Sequence, residues 1–162
     1  MDRRHPFQPR PRGFTLIEAM VTIAVLVILL MVAAPSFRSF TEGQRIKNAA
    51  SELGSALSYA RSEAIARRAN VSVTAVSSDF ANGWTIVAAA GPTLLRTQGD
   101  LGGIAVAATA TTVTYGLDGR TGATFDALIK APAGSSTTDK RCLWIDPMGT
   151  PRTRRTTAGS CS

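Results

Sequence analysis

Thirteen mostly polar residues open the chain, and an apolar run then extends from residue 14 to residue 34, interrupted only by Thr15, Glu18 and Thr22. As a helix rising 1.5 Å per residue, the run would be roughly 31 Å long, enough to cross the hydrocarbon of a bilayer. Glu18 is out of place there. An acidic side chain in the middle of such a segment costs roughly 2.5–3.5 kcal/mol on insertion scales, so its presence points to function. Val32-Ala33-Ala34 has the small residues of a secretory cut site. Pro35 follows directly and suits such a cut poorly, while a plain anchor gives Glu18 no purpose.

Past Pro35, where the missing N–H predicts a kink, the helical pattern resumes. Ile46, Ala49, Ala50, Leu53, Leu57, Ala60, Ala64 and Ile65 recur at spacings of three and four, one apolar stripe with a 3.6-residue period. Arg45, Asn48, Glu52, Ser55, Ser62 and Glu63 take the other faces, and Arg61, Arg67 and Arg68 complement the C-terminal dipole. An alanine-rich stripe lets whatever packs on it come close. From Val71 the period shortens to two. Residues 71–76, 83–89, 93–96, 104–107, 111–117, 124–129 and 142–145 read as strands, separated by breaks at Asn82-Gly83, Asp118-Gly119, Thr121-Gly122 and residues 132–138. Strands about ten residues apart with no helix between them predict an antiparallel sheet. The expected fold class is α+β, a long N-terminal helix laid on that sheet.

Composition narrows the function. The single histidine, His5, lies in the opening segment, and the chain has only two cysteines. Without a histidine in the rest of the chain there is no Ser-His-Asp or Cys-His catalysis and no His-bearing zinc site, and two thiolates are too few for a metal alone. No glycine-rich phosphate loop, EF-hand or dinucleotide fingerprint occurs, and Leu101-Gly102-Gly103-Ile104 is a turn signal. No enzyme activity, cofactor or metal is expected.

The residues Gly13-Phe14-Thr15-Leu16-Ile17-Glu18 resemble the type IV prepilin signature. That resemblance implies a leader, residues 1–13, removed by a prepilin peptidase between Gly13 and Phe14, with N-methylation of Phe14. It implies a transmembrane and fibre-core helix over 14–34, and in the fibre a partner for Glu18 in the Phe14 amine of an adjacent subunit. Residues 35–69 then form an amphipathic helix and 70–162 a periplasmic sheet domain, together the type IV pilin fold. Arg3, Arg4, Arg10 and Arg12 against Asp2 fit the positive-inside rule and keep the leader cytoplasmic. Removing them takes 18 basic and 11 acidic residues to 14 and 10, a net charge of +4 on 149 residues. Asn82-Gly83-Trp84-Thr85-Ile86-Val87 with Leu94-Leu95-Arg96, and Tyr115-Gly116-Leu117-Asp118-Gly119-Arg120 with its echo at Asp146-Pro147-Met148-Gly149, are similar to the GspH/FimT family of minor pilins and pseudopilins. The expected role is a minor pilin in the inner membrane and then at the cell surface, with other pilin subunits as partners. The alternative is a type II secretion pseudopilin at a pseudopilus tip.

In an oxidising periplasm Cys142 and Cys161 would close a loop of about 20 residues, worth roughly 3 kcal/mol in the chain-entropy model, the alternative being two unpaired thiols. Lys140, Arg141, Arg152, Arg154 and Arg155 stand against Asp146 alone between Lys140 and the C-terminus, a net +4 that equals the whole mature charge. Arginine forks with neighbouring threonine hydroxyls suit phosphate oxygens, making these five residues candidates for binding double-stranded DNA. Some FimT-like relatives bind DNA through a Gly-Arg-x-Arg motif. Here Thr150-Pro151 separates Gly149 from Arg152, so only the Arg-x-Arg half remains. The other reading of the cluster is a solvated basic tail or a contact with acidic patches of neighbouring subunits. No aromatic is interleaved among residues 152–155, and Trp84 and Trp144 read as core.

Overall fold

The computed structural model describes residues 13–135 and 137–161, except for the side chains of residues 32–36. Residues 1–12 of the expected leader, with His5 and the four arginines, lie outside the described residues. Two compact units divide between Phe37 and Arg38. In the first, the helix α1 (Leu16–Arg67) starts with Thr15 accepting the Glu18 N–H on Oγ1 at 3.3 Å, so Thr15 caps the helix and Glu18 falls in its first turn. Every large apolar side chain described in this unit is exposed, from Phe14 (77%) to Met31 (72%). A helix apolar on all sides needs lipid or other helices around it. Among the described residues no helix is long and apolar enough to cross a membrane. At Pro35, where a kink was expected, α1 continues as one helix.

The second unit holds the core. Ile46, Ala49, Ala50, Leu53, Ala56, Leu57, Ala60 and Ala64 of α1 are all buried. Ile65, placed on this stripe by its spacing, is instead half-exposed, because it lies one residue, about 100° of helix, past Ala64. Two antiparallel four-stranded sheets stand where one was expected. The first has the order β3-β2-β1-β5, built from β1 (Val71–Ala75), β2 (Trp84–Ala88), β3 (Thr93–Gln98) and β5 (Thr112–Tyr115). The second has the order β4-β6-β7-β8, from β4 (Ala105–Ala108), β6 (Asp126–Lys130), β7 (Lys140–Ile145) and β8 (Pro151–Thr156). The inner faces of both join the helix stripe in one cluster: Val71, Val73, Trp84, Ile86, Val113 and Tyr115 from the first, Ala127, Ile129, Leu143 and Ile145 from the second. Phe80, on a single 3-10 turn before β2, stacks edge-on against Phe125 at 5.6 Å and fills the junction.

Two glycines make these approaches possible. A Cβ on Gly54 would lie 3.6 Å from Leu143 Cδ1, so the helix already touches the second sheet. Gly83, at φ 98° and ψ −171°, occupies a region open essentially to glycine alone, and a Cβ there would strike the Gln98 carbonyl. That is the physical basis of the Gly-Trp strand start.

Candidate functional site

The basic C-terminal segment is a strand. β8 pairs with β7 in the register Lys140↔Thr156, Cys142↔Arg154 and Trp144↔Arg152 on one side of the sheet, with Arg141↔Arg155 and Leu143↔Thr153 on the other. Pro151 is tolerated because it is the first residue of an edge strand, and the arginines guard that edge against further pairing. Side chains alternate, so the five candidate bases separate. Lys140, Arg152 and Arg154 share the outer face, whereas Arg141 and Arg155 lie on the face that carries Leu143 and Ile145 to the core.

The outer face also carries Trp144. Its ring is half-buried, and the Arg154 guanidinium lies over it at 5.5 Å. The core position expected for Trp144 is therefore wrong, while Trp84 is buried as expected. Strand alternation decides it: Leu143 and Ile145 face inward, so Trp144 between them faces out. Cys142 and Cys161 form a disulfide, with Cα atoms 5.4 Å apart. It straps the chain end across this outer face, where Arg154 Nη2 donates to the Cys161 carbonyl at 3.2 Å and Lys140 Nζ to the carbonyls of Thr157 and Ala158, both at 3.4 Å. Leu128 beneath is buried, although it is not part of the main core. The segment is thus a paired strand and not a solvated tail.

Two carboxylates answer part of the charge. Arg155 pairs with Asp139 through Nη2 and, at 2.7 Å, through Nε. Gly43 makes room for that carboxylate, since a Cβ there would stand 2.8 Å from Asp139 Oδ2. Arg152 Nε reaches Asp146 Oδ2 at 3.4 Å. Both pairs are exposed on the arginine side and hold little energy against a competing phosphate. Asp146 mainly serves its own turn, accepting the N–H groups of Thr150 (2.8 Å) and Met148 (3.0 Å) on Oδ1. The Thr150 N–H first, and the Met148 N–H and Arg152 after it, hold its carboxyl below the usual carboxylate range against an opposing desolvation.

Sequence reasoning missed Arg61. Rather than serving the helix's own C-terminus, its guanidinium donates through Nε to the Gly119 carbonyl (3.1 Å), through Nη1 to Thr150 Oγ1 (2.9 Å) and through Nη2 to the Met148 carbonyl (2.9 Å). One side chain of α1 thereby ties the turn after β5 to the turn between β7 and β8. Nothing in helical spacing marks it, because its acceptors are 58 to 89 residues away. Tyr115 is fully buried beside it, and burial pushes its phenol up, with Arg61 pulling the other way. Among the described residues no group of three or more His, Cys, Asp or Glu could hold a metal ion.

A helix start with Thr15 capping Glu18, an exposed apolar first unit and a helix-on-sheet domain agree with what comparison finds. The family model for type II transport protein GspH matches residues 49–156. The chain belongs to this family. The prokaryotic N-terminal methylation motif matches residues 9–34. The type IV minor pilin FimU of Pseudomonas aeruginosa (strain PAO1) superposes in one crystal form with a TM-score of 0.63 at 26% identity, over 76% of this chain and 99% of that one. A second crystal form of FimU gives 0.59 at 25% identity, over 72% and 99%. The type IV major pilin protein PilA of Myxococcus xanthus (strain DK1622) is 35% identical over 101 residues, 59% of this chain and 46% of that protein, so the chain spans about half of that relative's length. Long helix and antiparallel sheets together are the type IV pilin fold, and the chain is a pilin-like structural subunit of a pilus or pseudopilus.

The Asp146 geometry sets a pH dependence. A carboxyl whose folded pKa lies below its unfolded value stabilises the fold fully above the unfolded pKa, about 3.9, and loses that contribution as pH falls through the folded value. The urea midpoint of residues 38–162 should exceed that of Asp146→Asn by a constant margin from pH 7 to about pH 5. The margin should shrink as pH falls to about 2.5; one that stays constant to that pH contradicts the assignment.

Proposed function

We propose that this chain is a minor pilin of a type IV pilus. A prepilin peptidase cuts it between Gly13 and Phe14, residues 14–34 hold it in the inner membrane with the sheet domain in the periplasm, and the same helix then enters the fibre. The observation that carries this reading is the methylation motif over residues 9–34 joined in one chain to a GspH domain over 49–156. FimU's own description as a type IV minor pilin favours pilus over secretion fibre. The name of the matched family keeps a type II pseudopilin as the alternative. Glu18 sits in the first turn of α1, where a carboxylate also suits the helix dipole. In the fibre it accepts the methylated Phe14 amine of a neighbour, which offsets the cost of carrying a charge in hydrocarbon.

A second reading rests on Lys140, Arg152 and Arg154 sharing one face with Trp144: this face captures double-stranded DNA by its phosphates. A guanidinium held over an aromatic ring and hydrogen-bonded to a strapped chain end loses little freedom on meeting a phosphate.

Co-expression with a prepilin peptidase should shorten the chain by the 13 residues ending at Gly13. An intact mass that retains Met1, or shows a cut after Ala34, defeats the reading. Glu18→Val should insert and be cut normally but reach sheared fibres at a small fraction of the wild-type level; normal incorporation removes the ion-pair role. For DNA, residues 38–162 should shift duplex at low salt without sequence preference. Three phosphate contacts give a slope of log affinity against log salt of roughly −3. Arg152→Gln with Arg154→Gln should weaken binding to every sequence and flatten the slope, whereas Arg155→Gln, on the opposite face of the sheet, should change it little. Reducing the disulfide should weaken binding less than the double substitution. Equal retardation by wild type and the double variant eliminates the DNA reading and leaves the structural one.

A further inference from the structure

Two turns at one end of the second unit are built alike. Gly116-Leu117-Asp118-Gly119 closes with the Gly119 N–H on the Gly116 carbonyl at 2.8 Å, and Asp146-Pro147-Met148-Gly149 closes with the Gly149 N–H on the Asp146 carbonyl at 2.8 Å. Each ends in a glycine with positive φ, 74° and 80°. The turns touch, since a Cβ on Gly149 would overlap the Gly119 carbonyl and one on Gly119 would press Ile65 Cδ1 at 2.6 Å. Arg61 fastens both from below by its three hydrogen bonds.

What these rigid turns present is apolar. Leu117 is 63% exposed and Met148 58%, with half-exposed Ile65 beside them. Scattered surface leucines mean little, but these side chains stand together on backbone that is already ordered. An occupant would bury them without first immobilising a loop.

Two exposed guanidiniums, Arg120 and Arg152, stand around the patch, against the carboxylates of Asp118 and Asp146. The carboxylates of both turns are engaged by backbone: Asp118, itself exposed, accepts the Arg120 N–H on Oδ1 at 3.1 Å, and Asp146 Oδ1 takes the N–H groups of Met148 and Thr150. The cations face outward. Arg120 Nη2 lies 3.4 Å from Met148 Sδ, and Arg152 spends one N–H on Asp146, so each guanidinium has further donors for a partner.

We propose that these paired turns are a docking surface for an adjacent pilin-like subunit that presents an apolar hollow rimmed by carboxylates, with Leu117 and Met148 entering the hollow and Arg120 pairing at its rim. The partner's being a fibre subunit rests on the pilin reading above. Arg61 is a positioning residue here: it sets the spacing of the two turns and touches no partner.

The test uses the full chain in cells that assemble fibres. The variants are Leu117→Asp with Met148→Asp, Arg120→Glu, the conservative Met148→Leu, and Leu94→Asp as a control at an equally exposed leucine on β3 (61%). Membrane levels and cleavage are followed alongside incorporation into sheared fibres, and a photo-crosslinking residue replaces Leu117. The double aspartate and Arg120→Glu variants should be cut normally yet fall about tenfold or more in the fibre fraction. Met148→Leu and Leu94→Asp should incorporate like wild type, and the crosslink should join the chain to another pilin-like subunit. Should the double variant prove unstable, Arg120→Glu and the crosslink decide alone. Full incorporation of Arg120→Glu with no crosslink to a subunit overturns the docking surface while leaving the pilin reading intact. Absence of wild type itself from fibres overturns both, and that outcome is visible before any variant is compared.

Discussion

Close approach between one face of α1 and two sheets is the constraint on which the rest of the domain depends. The face is made of alanines with Ile46, Leu53 and Leu57 between them, all buried, and Gly43 and Gly54 remove even the Cβ where Asp139 and Leu143 come nearest. Short side chains let the helix seat low on both sheets, where Arg61 reaches acceptors on two separate turns at once. A larger stripe would bury more apolar area per residue, but it would lift the helix away from both turns and break that tie.

From this arrangement follows a division of labour along the chain. The first unit keeps its apolar side chains exposed and so demands lipid or other helices; the second satisfies its own core and leaves two distinct surfaces outside. One is the strapped outer face of β7 and β8, with cations over a tryptophan. The other is the pair of turns, with apolar tips between arginines. A structural subunit of a pilus or pseudopilus has use for all three kinds of exterior.

Much of this was legible in the sequence where one period or one short motif carried the signal. The helix stripe, seven of the eight strands and the helix-on-sheet class follow from local alternation, and 14–34 stands out by hydropathy alone. Three features escaped. Residues 151–156 read as a basic segment, because Pro151 and three arginines hide a strand whose pairing edge is supplied by β7. Had the turn at 146–149 been extended into a hairpin, Arg152 would have fallen opposite Trp144 and the tryptophan outside the core. Arg61 could not be found at all, since its role depends on partners far off in sequence. The division into two sheets was equally hidden, for it depends on which strands pair, and each strand alone fits either.

Small side chains on one helix face hold both sheets and, through them, both outer surfaces. Urea unfolding of residues 38–162 with Ala60→Leu tests it most directly, with Glu52→Leu on an exposed face of the same helix as control. Overpacking the buried position should lower stability by roughly 1–3 kcal/mol, while the control stays within about 0.5 kcal/mol. Equal midpoints for wild type and Ala60→Leu would contradict the claim, because a loosely seated helix could take in a leucine at no cost.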